Sequence, residues 1–148
     1  AGGQYLDLSY EKKKISKKNI IEMEIKKTGK LFSFCCVVPA IIKNKNNKEI
    51  KFFEDIGSNI GLLFQIADDL IDFRGDSKKA GKKTGKDQKK GKATLISLLG
   101  HDNAIKYCNK IILNIDNKLK KYGPNTKYIK ETLDYIVNRD RWKKITNF

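Results

Sequence analysis

Apolar residues recur at helical spacing along most of this sequence. From Ile15 to Val38 they follow one broad face with a period of about 3.6 residues, which predicts a long helix. That helix is expected to be kinked or interrupted at Pro39, because proline has no backbone donor. A second run, from about Glu49 to about Phe73, predicts another long helix. No stretch of useful length alternates with period two, so the sequence predicts an all-α fold.

Polar and glycine-rich stretches separate these helices. Residues 1–13 are predicted to be a short lead-in, residues 43–48 a surface turn, and residues 74–94, with four glycines and eight lysines, a long loop. Gly57 and Gly61 lie four positions apart within the second long helix, where they would let a neighbouring helix approach closely. Three further helices are predicted over residues 95–99, 104–119 and 129–137, separated by Gly100 and by Gly123-Pro124.

The length and composition fit a single folded unit. The 148 residues suffice for one domain or for part of a larger one, and residues 1–148 are interpreted as one helical segment. Hydrophobic residues make up 39% of the chain and charged residues 33%, a balance that supports a core rather than disorder. The longest apolar run, Leu31 to Ile42, is too short to span a membrane. Because the chain opens on Ala1 and its first methionine is Met23, we expect that an upstream segment is missing.

The cysteines and the excess of lysine narrow the possible functions. Cys35, Cys36 and Cys108 form neither a disulfide framework nor a CxxC metal pattern, so we expect buried free thiols in a reducing, cytoplasmic setting. The formal net charge is +15, and almost all of the positive charge is lysine. Solvated helix faces explain most of this charge, and an electrostatic funnel for an anionic ligand is the alternative. A nucleic-acid-binding protein would more often combine arginine with exposed aromatic residues, so no nucleic-acid partner is expected.

Three carboxylates, Asp68, Asp69 and Asp72, interrupt the otherwise apolar run within the stretch FQIADDLIDFRGD. On a helix Asp68 and Asp72 lie one turn apart on the same face, while Gln65 precedes Asp68 by three residues and Asp69 precedes Asp72 by three. Like charges at this spacing destabilise a helix, and their cost near a core rises unless a cation neutralises them. An exposed polar face is the alternative interpretation. Hard carboxylate oxygens suit Mg²⁺, which binds one or two of them together with substrate phosphate oxygens.

The loop after this stretch supplies positive charge. Its lysines, among them Lys82 and Lys92, would neutralise diphosphate oxygens, and its glycines would let it bend and present backbone N–H groups. A Walker A loop is ruled out by the glycine spacing. His101 follows a helix break and is interpreted as a cap or surface residue, with no nucleophile to pair with. Metal-assisted departure of a phosphate leaving group is therefore favoured over covalent hydrolysis.

Four segments, AGGQYLDL, KKTGKLF, GLLFQIADDLIDFRGD and GKKTGKDQKKGKAT, follow one another in this order over nearly the entire chain. Together they resemble the trans-isoprenyl diphosphate synthases, specifically the bacterial farnesyl and geranylgeranyl type. The first resembles the segment ahead of that family's Lys-Thr motif, and the second resembles the motif itself. The third resembles its second aspartate-rich motif, and the fourth the loop that follows. Each segment is modest alone, but the order and spacing are specific.

The resemblance implies an all-helical isoprenoid synthase fold around a central cavity. In that cavity an allylic diphosphate held by Mg²⁺ ionises, and isopentenyl diphosphate attacks the cation and loses a proton. The resemblance implies metal binding and catalysis by Asp68, Asp69 and Asp72, with Asp68 and Asp72 in the inner shell, and a catalytic role for Lys27. The implied substrate-binding positions are Lys27, Thr28, Phe64, Gln65, Lys82 and Lys92, with the lysines on diphosphate oxygens and Phe64 lining the isopentenyl pocket.

One part of the family's pattern is absent from this sequence. It contains neither the first aspartate-rich motif nor the arginines beside it. We therefore expect the C-terminal half of a synthase domain, inactive or nearly so alone. Synthesis of short-chain polyprenyl diphosphates and homodimerisation are the properties expected of the intact protein. The alternatives are a non-catalytic helical partner subunit of a synthase and a terpene cyclase of related fold.

Overall fold

The computed structural model describes residues 2–11, 13–74 and 93–142, and all regular structure within these ranges is helical. The predicted all-α fold is therefore confirmed. In chain order the elements are α1 (Gly2–Ser9), α2 (Lys17–Glu24), a π-helical turn (Ile25–Gly29), α3 (Lys30–Ile42), α4 (Asn47–Arg74), α5 (Leu95–Leu99), α6 (His101–Leu119), a 3₁₀ segment (Lys120–Thr126) and α7 (Lys127–Trp142).

The first long helix predicted from the sequence consists of three consecutive elements, α2, the π turn and α3. Its cap is Ser16, whose hydroxyl accepts a hydrogen bond of 3.3 Å from the backbone N–H of Asn19. The predicted interruption at Pro39 is wrong, because α3 continues to Ile42 and the N–H of Lys43 donates to the Pro39 carbonyl at 3.1 Å. A proline so near a helix end removes one ladder hydrogen bond without ending the helix. The α-helical hydrogen-bond pattern is instead replaced by a π-helical one at the π turn, Ile25–Gly29.

The lead-in predicted for residues 1–13 contains a helix, α1, and that part of the prediction is wrong. A helix of eight residues is too short to be stable by itself, so its contact with the π turn must hold it in place. Gly3 lies in this contact, since a Cβ added there would collide with the backbone of Lys27. The apolar pattern gave no sign of α1 because Tyr5 and Leu8 are exposed.

Helices α3 and α4 approach each other through two glycines of α4. A Cβ added at Gly57 would lie 2.5 Å from the Phe32 carbonyl oxygen and from Ser33 Cα, and one added at Gly61 would lie 2.5 Å from Gly29 Cα. These neighbours are backbone atoms, which cannot move aside as a flexible side chain can. The close approach predicted from the glycine spacing is therefore confirmed.

Helix α4 is the centre of the fold and contacts α2, α3, α5, α6 and α7. Its residues Ile56, Leu63 and Ile66 are completely buried. The predicted breaks are also confirmed, since Gly100 separates α5 from α6 and Gly123 lies in the 3₁₀ segment before α7. No helix in the described part of the chain combines the length and apolar character needed to cross a membrane. The buried residues that α6 and α7 contribute to the core are Ala104, Cys108, Ile111, Ile115, Leu119, Leu133 and Ile136. The predicted burial of the thiols is confirmed for Cys108 and wrong for Cys35, which is exposed on α3.

Candidate functional site

Lys27 and Thr28 lie in the π turn between α2 and α3. Such a turn locally widens a helix and occurs often at functional sites. Here it directs two adjacent side chains toward different elements. Lys27 contacts α1, whereas Thr28 contacts α4. The π turn therefore links the first helix of the chain to the central one.

Lys27 is paired with Asp7 of α1, 20 positions earlier in the sequence. The Lys27 Nζ donates to Asp7 Oδ2 at 2.8 Å, and both side chains are partly buried. A charge-assisted hydrogen bond of this length fixes the direction of the ammonium group. The adjacent Lys26 is exposed and pairs with Glu22 of its own helix at 2.7 Å, a hydrogen bond that raises the pKa of Lys26. Two neighbouring lysines thus have different surroundings, and only Lys27 is held by another element.

A chain of hydrogen bonds joins the π turn to α4. Thr28 Oγ1 donates to Gln65 Oε1 at 3.0 Å, and Gln65 Nε2 donates to Asp69 Oδ1 at 3.2 Å. Gln65 and Asp69 are both buried. A buried amide is costly unless its oxygen and its nitrogen are both hydrogen-bonded, and Gln65 meets that condition. Its orientation is therefore fixed from both ends.

The three carboxylates predicted to bind metal do not share one environment. Asp69 is buried against Gln65, whereas Asp68 is exposed and Asp72 is half-buried. The reason is that adjacent residues on a helix point about 100° apart, so Asp69 leaves the face that Asp68 and Asp72 share. Within residues 2–11, 13–74 and 93–142, no three His, Cys, Asp or Glu side chains converge to form a metal-binding group.

The position of Asp68 and Asp72 along α4 suits a bound cation. The helix ends at Arg74, so both carboxylates lie in its last two turns. The C-terminal end of a helix carries a partial negative charge, which disfavours carboxylates there unless a cation is present. A Mg²⁺ site that takes its other ligands from water and substrate typically uses one or two protein carboxylates, which two hard oxygen donors on one face can supply. The residues present therefore fit the predicted metal.

Phe64 lies beside this polar chain, on the helix turn before Asp68. Its ring is half-buried, and its centroid is 5.5 Å from that of Phe32 on α3, with the ring planes tilted by 40°. The two rings form an apolar wall one residue away from Gln65. An apolar wall next to fixed polar groups is the arrangement that small-molecule sites generally use.

The sequence matches the family described as Polyprenyl synthetase over residues 1–136. The chain belongs to this family. A farnesyl diphosphate synthase of Micrococcus luteus is 34% identical over 139 residues, which cover 94% of this chain and 48% of the relative. An FPP/GFPP synthase structure from Zymomonas mobilis has a TM-score of 0.76 at 33% identity, covering 92% of this chain and 44% of that one. A geranyltransferase of Helicobacter pylori, complexed with magnesium and isoprenyl diphosphate, has a TM-score of 0.72 at 28% identity, covering 93% and 45%.

These similarities confirm the family and the isoprenoid synthase fold that the four motifs implied. The chain spans about half the length of the polyprenyl synthetases that it matches. Lys82 and Lys92 lie outside the described residues, so their substrate contacts stay a prediction. Among the predicted site residues, the structure joins Thr28, Gln65 and Asp69 in one chain of hydrogen bonds, with Lys27 adjacent to Thr28 and Phe64 adjacent to Gln65.

Asp7 is the residue of this site that the sequence interpretation missed. It lies within AGGQYLDL, a segment whose resemblance to the family assigns no role to any single residue. Its partner Lys27 is 20 positions away and on a different element, so neither helical periodicity nor local spacing pairs the two. The sequence did carry one signal that could have pointed to Asp7, since it is the only acidic residue in that segment, which precedes the Lys-Thr motif.

Proposed function

We propose that this polyprenyl synthetase takes part in prenyl transfer, in which an allylic diphosphate ionises and isopentenyl diphosphate attacks the resulting carbocation. The product class would be short-chain, of farnesyl or geranylgeranyl size. The observation that carries the proposal is the pair of links that join three motifs, Asp7 to Lys27 and Thr28 through Gln65 to Asp69. They assemble one cation, one fixed amide and the aspartate-rich end of α4 around the π turn.

Lys27 is proposed to bind the diphosphate. An ammonium group has three donors, so the hydrogen bond to Asp7 leaves capacity for a phosphate oxygen. Asp7 acts as a positioning residue, because it limits the directions in which the flexible lysine stem can point. The electrostatic gain from a fixed cation is larger than from a mobile one, since no reorganisation is needed when charge develops on the leaving group.

Thr28, Gln65 and Phe64 are proposed to contact the prenyl side of the substrates. The Gln65 amide is held at its oxygen by Thr28 and at its nitrogen by Asp69. A carbonyl oxygen held in this way stabilises a nearby positive charge without having to reorient. Phe64 would line the isopentenyl pocket. In this proposal Asp69 positions Gln65, and a direct contact of Asp69 with metal stays a prediction.

Asp68 and Asp72 are proposed as the protein ligands of Mg²⁺. When bound, Mg²⁺ would neutralise diphosphate oxygens and assist departure of the leaving group. Lys82 and Lys92 are proposed to complete the positive surroundings of the diphosphate. The free cysteines support the predicted reducing, cytoplasmic location, and homodimerisation is retained as a property expected of the active protein.

The test is prenyl transfer by a reconstituted enzyme, defined as this 148-residue chain coexpressed with the part of the Micrococcus luteus synthase that lies outside the match. We expect Mg²⁺-dependent incorporation of labelled isopentenyl diphosphate into a longer prenyl diphosphate. Asp72→Asn should reduce turnover by roughly a hundredfold or more, since it removes a metal ligand. The matched control is Asp116→Asn on α6, which breaks only a 4.0 Å pair with Lys130 and should leave turnover unchanged.

Other outcomes would identify the alternatives. Release of diphosphate from the allylic substrate without any need for isopentenyl diphosphate would favour a terpene cyclase. A chain that forms the complex but binds no Mg²⁺-diphosphate by calorimetry, and whose complex shows no turnover, would be a non-catalytic partner subunit. Equal turnover of Asp72→Asn and Asp116→Asn would contradict the site assignment.

A further inference from the structure

Helix α3 is apolar on two opposite faces, and only one of them is covered in this structure. The covered face packs against α4 through the buried Ser33 and Ala40, with Phe32 and Cys36 partly buried beside them. The other face is open. Its large side chains are exposed to a degree unusual for their type: Leu31 68%, Phe34 65%, Ile41 54% and Ile42 70%.

The open residues form one stripe rather than scattered positions. At 100° per residue, Leu31, Phe34, Ile41 and Ile42, together with the exposed Cys35, fall within an arc of roughly 120° that faces away from Ser33 and Ala40. We call these five residues the outer face of α3. A contiguous apolar stripe of this kind marks an interaction surface, whereas single exposed apolar residues do not.

The composition of α3 supports the same interpretation. From Leu31 to Ile42 there is no charged residue, in a chain that is 33% charged overall. A helix that is apolar all round belongs in the interior of a protein, because either face costs free energy when it contacts water. Lys30 and Lys43 flank the stripe, which gives it the polar rim that docking surfaces usually have.

We propose that the outer face of α3 is the docking surface for the half of the synthase fold that this chain does not match. Solved relatives superpose with TM-scores of 0.72 and 0.76 over only 44–45% of their length, so the rest of each relative must lie against the surface of a unit like this one. Within the described residues, the outer face of α3 is an exposed apolar stripe on a helix whose only charged residue is Lys30, at its first position. The proposal rests on the proposed function, because both take the matched synthases as their guide.

A second copy of this chain is a poorer occupant on electrostatic grounds. Each copy carries a formal net charge of +15, and lysines stand at both ends of the stripe. Bringing two such faces together would oppose like charges across the contact. A partner helix with apolar residues and an acidic rim would complement both features.

Cys35 provides a probe of this face that does not depend on activity. It is an exposed free thiol within the stripe, whereas Cys108 is buried in the core and serves as an internal reference. The 148-residue chain is treated with N-ethylmaleimide, alone and coexpressed with the unmatched part of the Micrococcus luteus synthase, and tandem mass spectrometry resolves the modified cysteines. We expect a stable complex in which Cys35 reacts roughly tenfold more slowly than in the chain alone, because docking removes it from solvent.

Matched variants locate the contact. Phe34→Asp should weaken the complex by roughly tenfold to a hundredfold, since it places a charge where docking would bury an aromatic ring. Leu113→Asp on α6 is the control, because Leu113 is 61% exposed, about as much as Phe34, but lies on another helix. It should leave both the complex and the protection of Cys35 unchanged.

Three outcomes would overturn the proposal. They are the absence of any complex, a complex in which Cys35 stays fully reactive, and protection of Cys35 in the chain alone with a doubled mass by light scattering. The last would assign the face to a second copy. A complex with Cys35 protected but without prenyl transfer would support the docking surface and contradict the proposed function, so the two can fail separately.

Discussion

Helix α4 makes two kinds of contact that differ in chemistry. On one side is the site seam, formed by the π turn and α3 against α4, with α1 packed on the π turn. It contains glycines against backbone and the hydrogen bonds of Thr28, Gln65 and Asp69. On the other side the apolar seam, formed by α6 and α7 against α4, consists of interlocking aliphatic side chains. Both seams belong to one helix, yet one fixes polar groups and the other excludes water.

The comparison shows that the site seam fixes the positions of side chains, whereas the apolar seam mainly supplies stability. Aliphatic packing tolerates changes of similar volume, because neighbouring side chains can adjust their rotamers. A backbone-to-backbone contact has no such freedom, and a buried amide has only a few acceptable partners. The loss or gain of a single atom in the site seam should therefore have a large effect on activity or stability. In the apolar seam the effect should grow gradually with the size of the change.

The largest effect is expected from Lys27→Ala, which removes the cation that α1 holds in the site seam. Turnover of the reconstituted enzyme should fall by roughly a hundredfold or more, as is typical when a fixed electrostatic contact to developing charge is lost. The measurement is steady-state prenyl transfer with purified complexes. Lys26→Ala is the control, because Lys26 pairs only with Glu22 on the exposed surface. Equal turnover of the two variants would contradict the role of Lys27.

The next effect is on stability, at the closest approach of the two backbones. Gly61→Ala adds a Cβ about 2.5 Å from Gly29 Cα, so the helices must separate or strain. The free energy of unfolding in urea should decrease by about 1–3 kcal/mol. Gly2→Ala is the control, since a Cβ there meets nothing within 4 Å. If both variants unfold at the same urea concentration as the wild type, the site seam is looser than described.

Thr28→Val tests the hydrogen bond that begins the polar chain. The isosteric change removes the donor to Gln65 Oε1 and leaves a buried carbonyl without that partner, which should cost about 1–2 kcal/mol of stability. Thr132→Val on α7 removes a comparable hydrogen bond of 2.8 Å to the Tyr128 carbonyl, but at an exposed position. That control should change stability by less than about 0.5 kcal/mol. Similar losses for both would mean that burial of Gln65 does not matter.

Much of the apolar seam could be predicted from the sequence, because helical periodicity reports which face of a helix is buried. The spacing of Gly57 and Gly61 also predicted the close approach in the site seam. The partners across that seam could not be predicted. Thr28 and Gln65 are 37 positions apart, and only the folded backbone decides that these two side chains meet.

Four other features could not be predicted from the sequence, for physical reasons. Helix α1 is held by its contact with the π turn rather than by its own pattern, and the π turn differs from an α-helix by one residue of register. Pro39 lies near the end of α3, where its missing donor matters little. The separation of Asp69 from Asp68 and Asp72 was implicit in helix geometry, but its burial depends on Gln65.

The smallest effect is expected in the apolar seam, at its buried thiol. Burial raises the pKa of Cys108 from an ordinary 9.0 to about 11. As the pH rises past 9.0 the unfolded thiol ionises while the folded one stays protonated, so the stabilisation is complete below pH 9 and is lost as the pH approaches 11. Between pH 8 and 10 the stability advantage of the wild type over Cys108→Ala should narrow by about 1 kcal/mol. Measuring urea unfolding of both proteins across this range cancels the lysines and tyrosines that titrate in each. A constant difference would mean that the thiol ionises as easily in the folded chain as in the unfolded one, and the apolar seam would then admit water at Cys108.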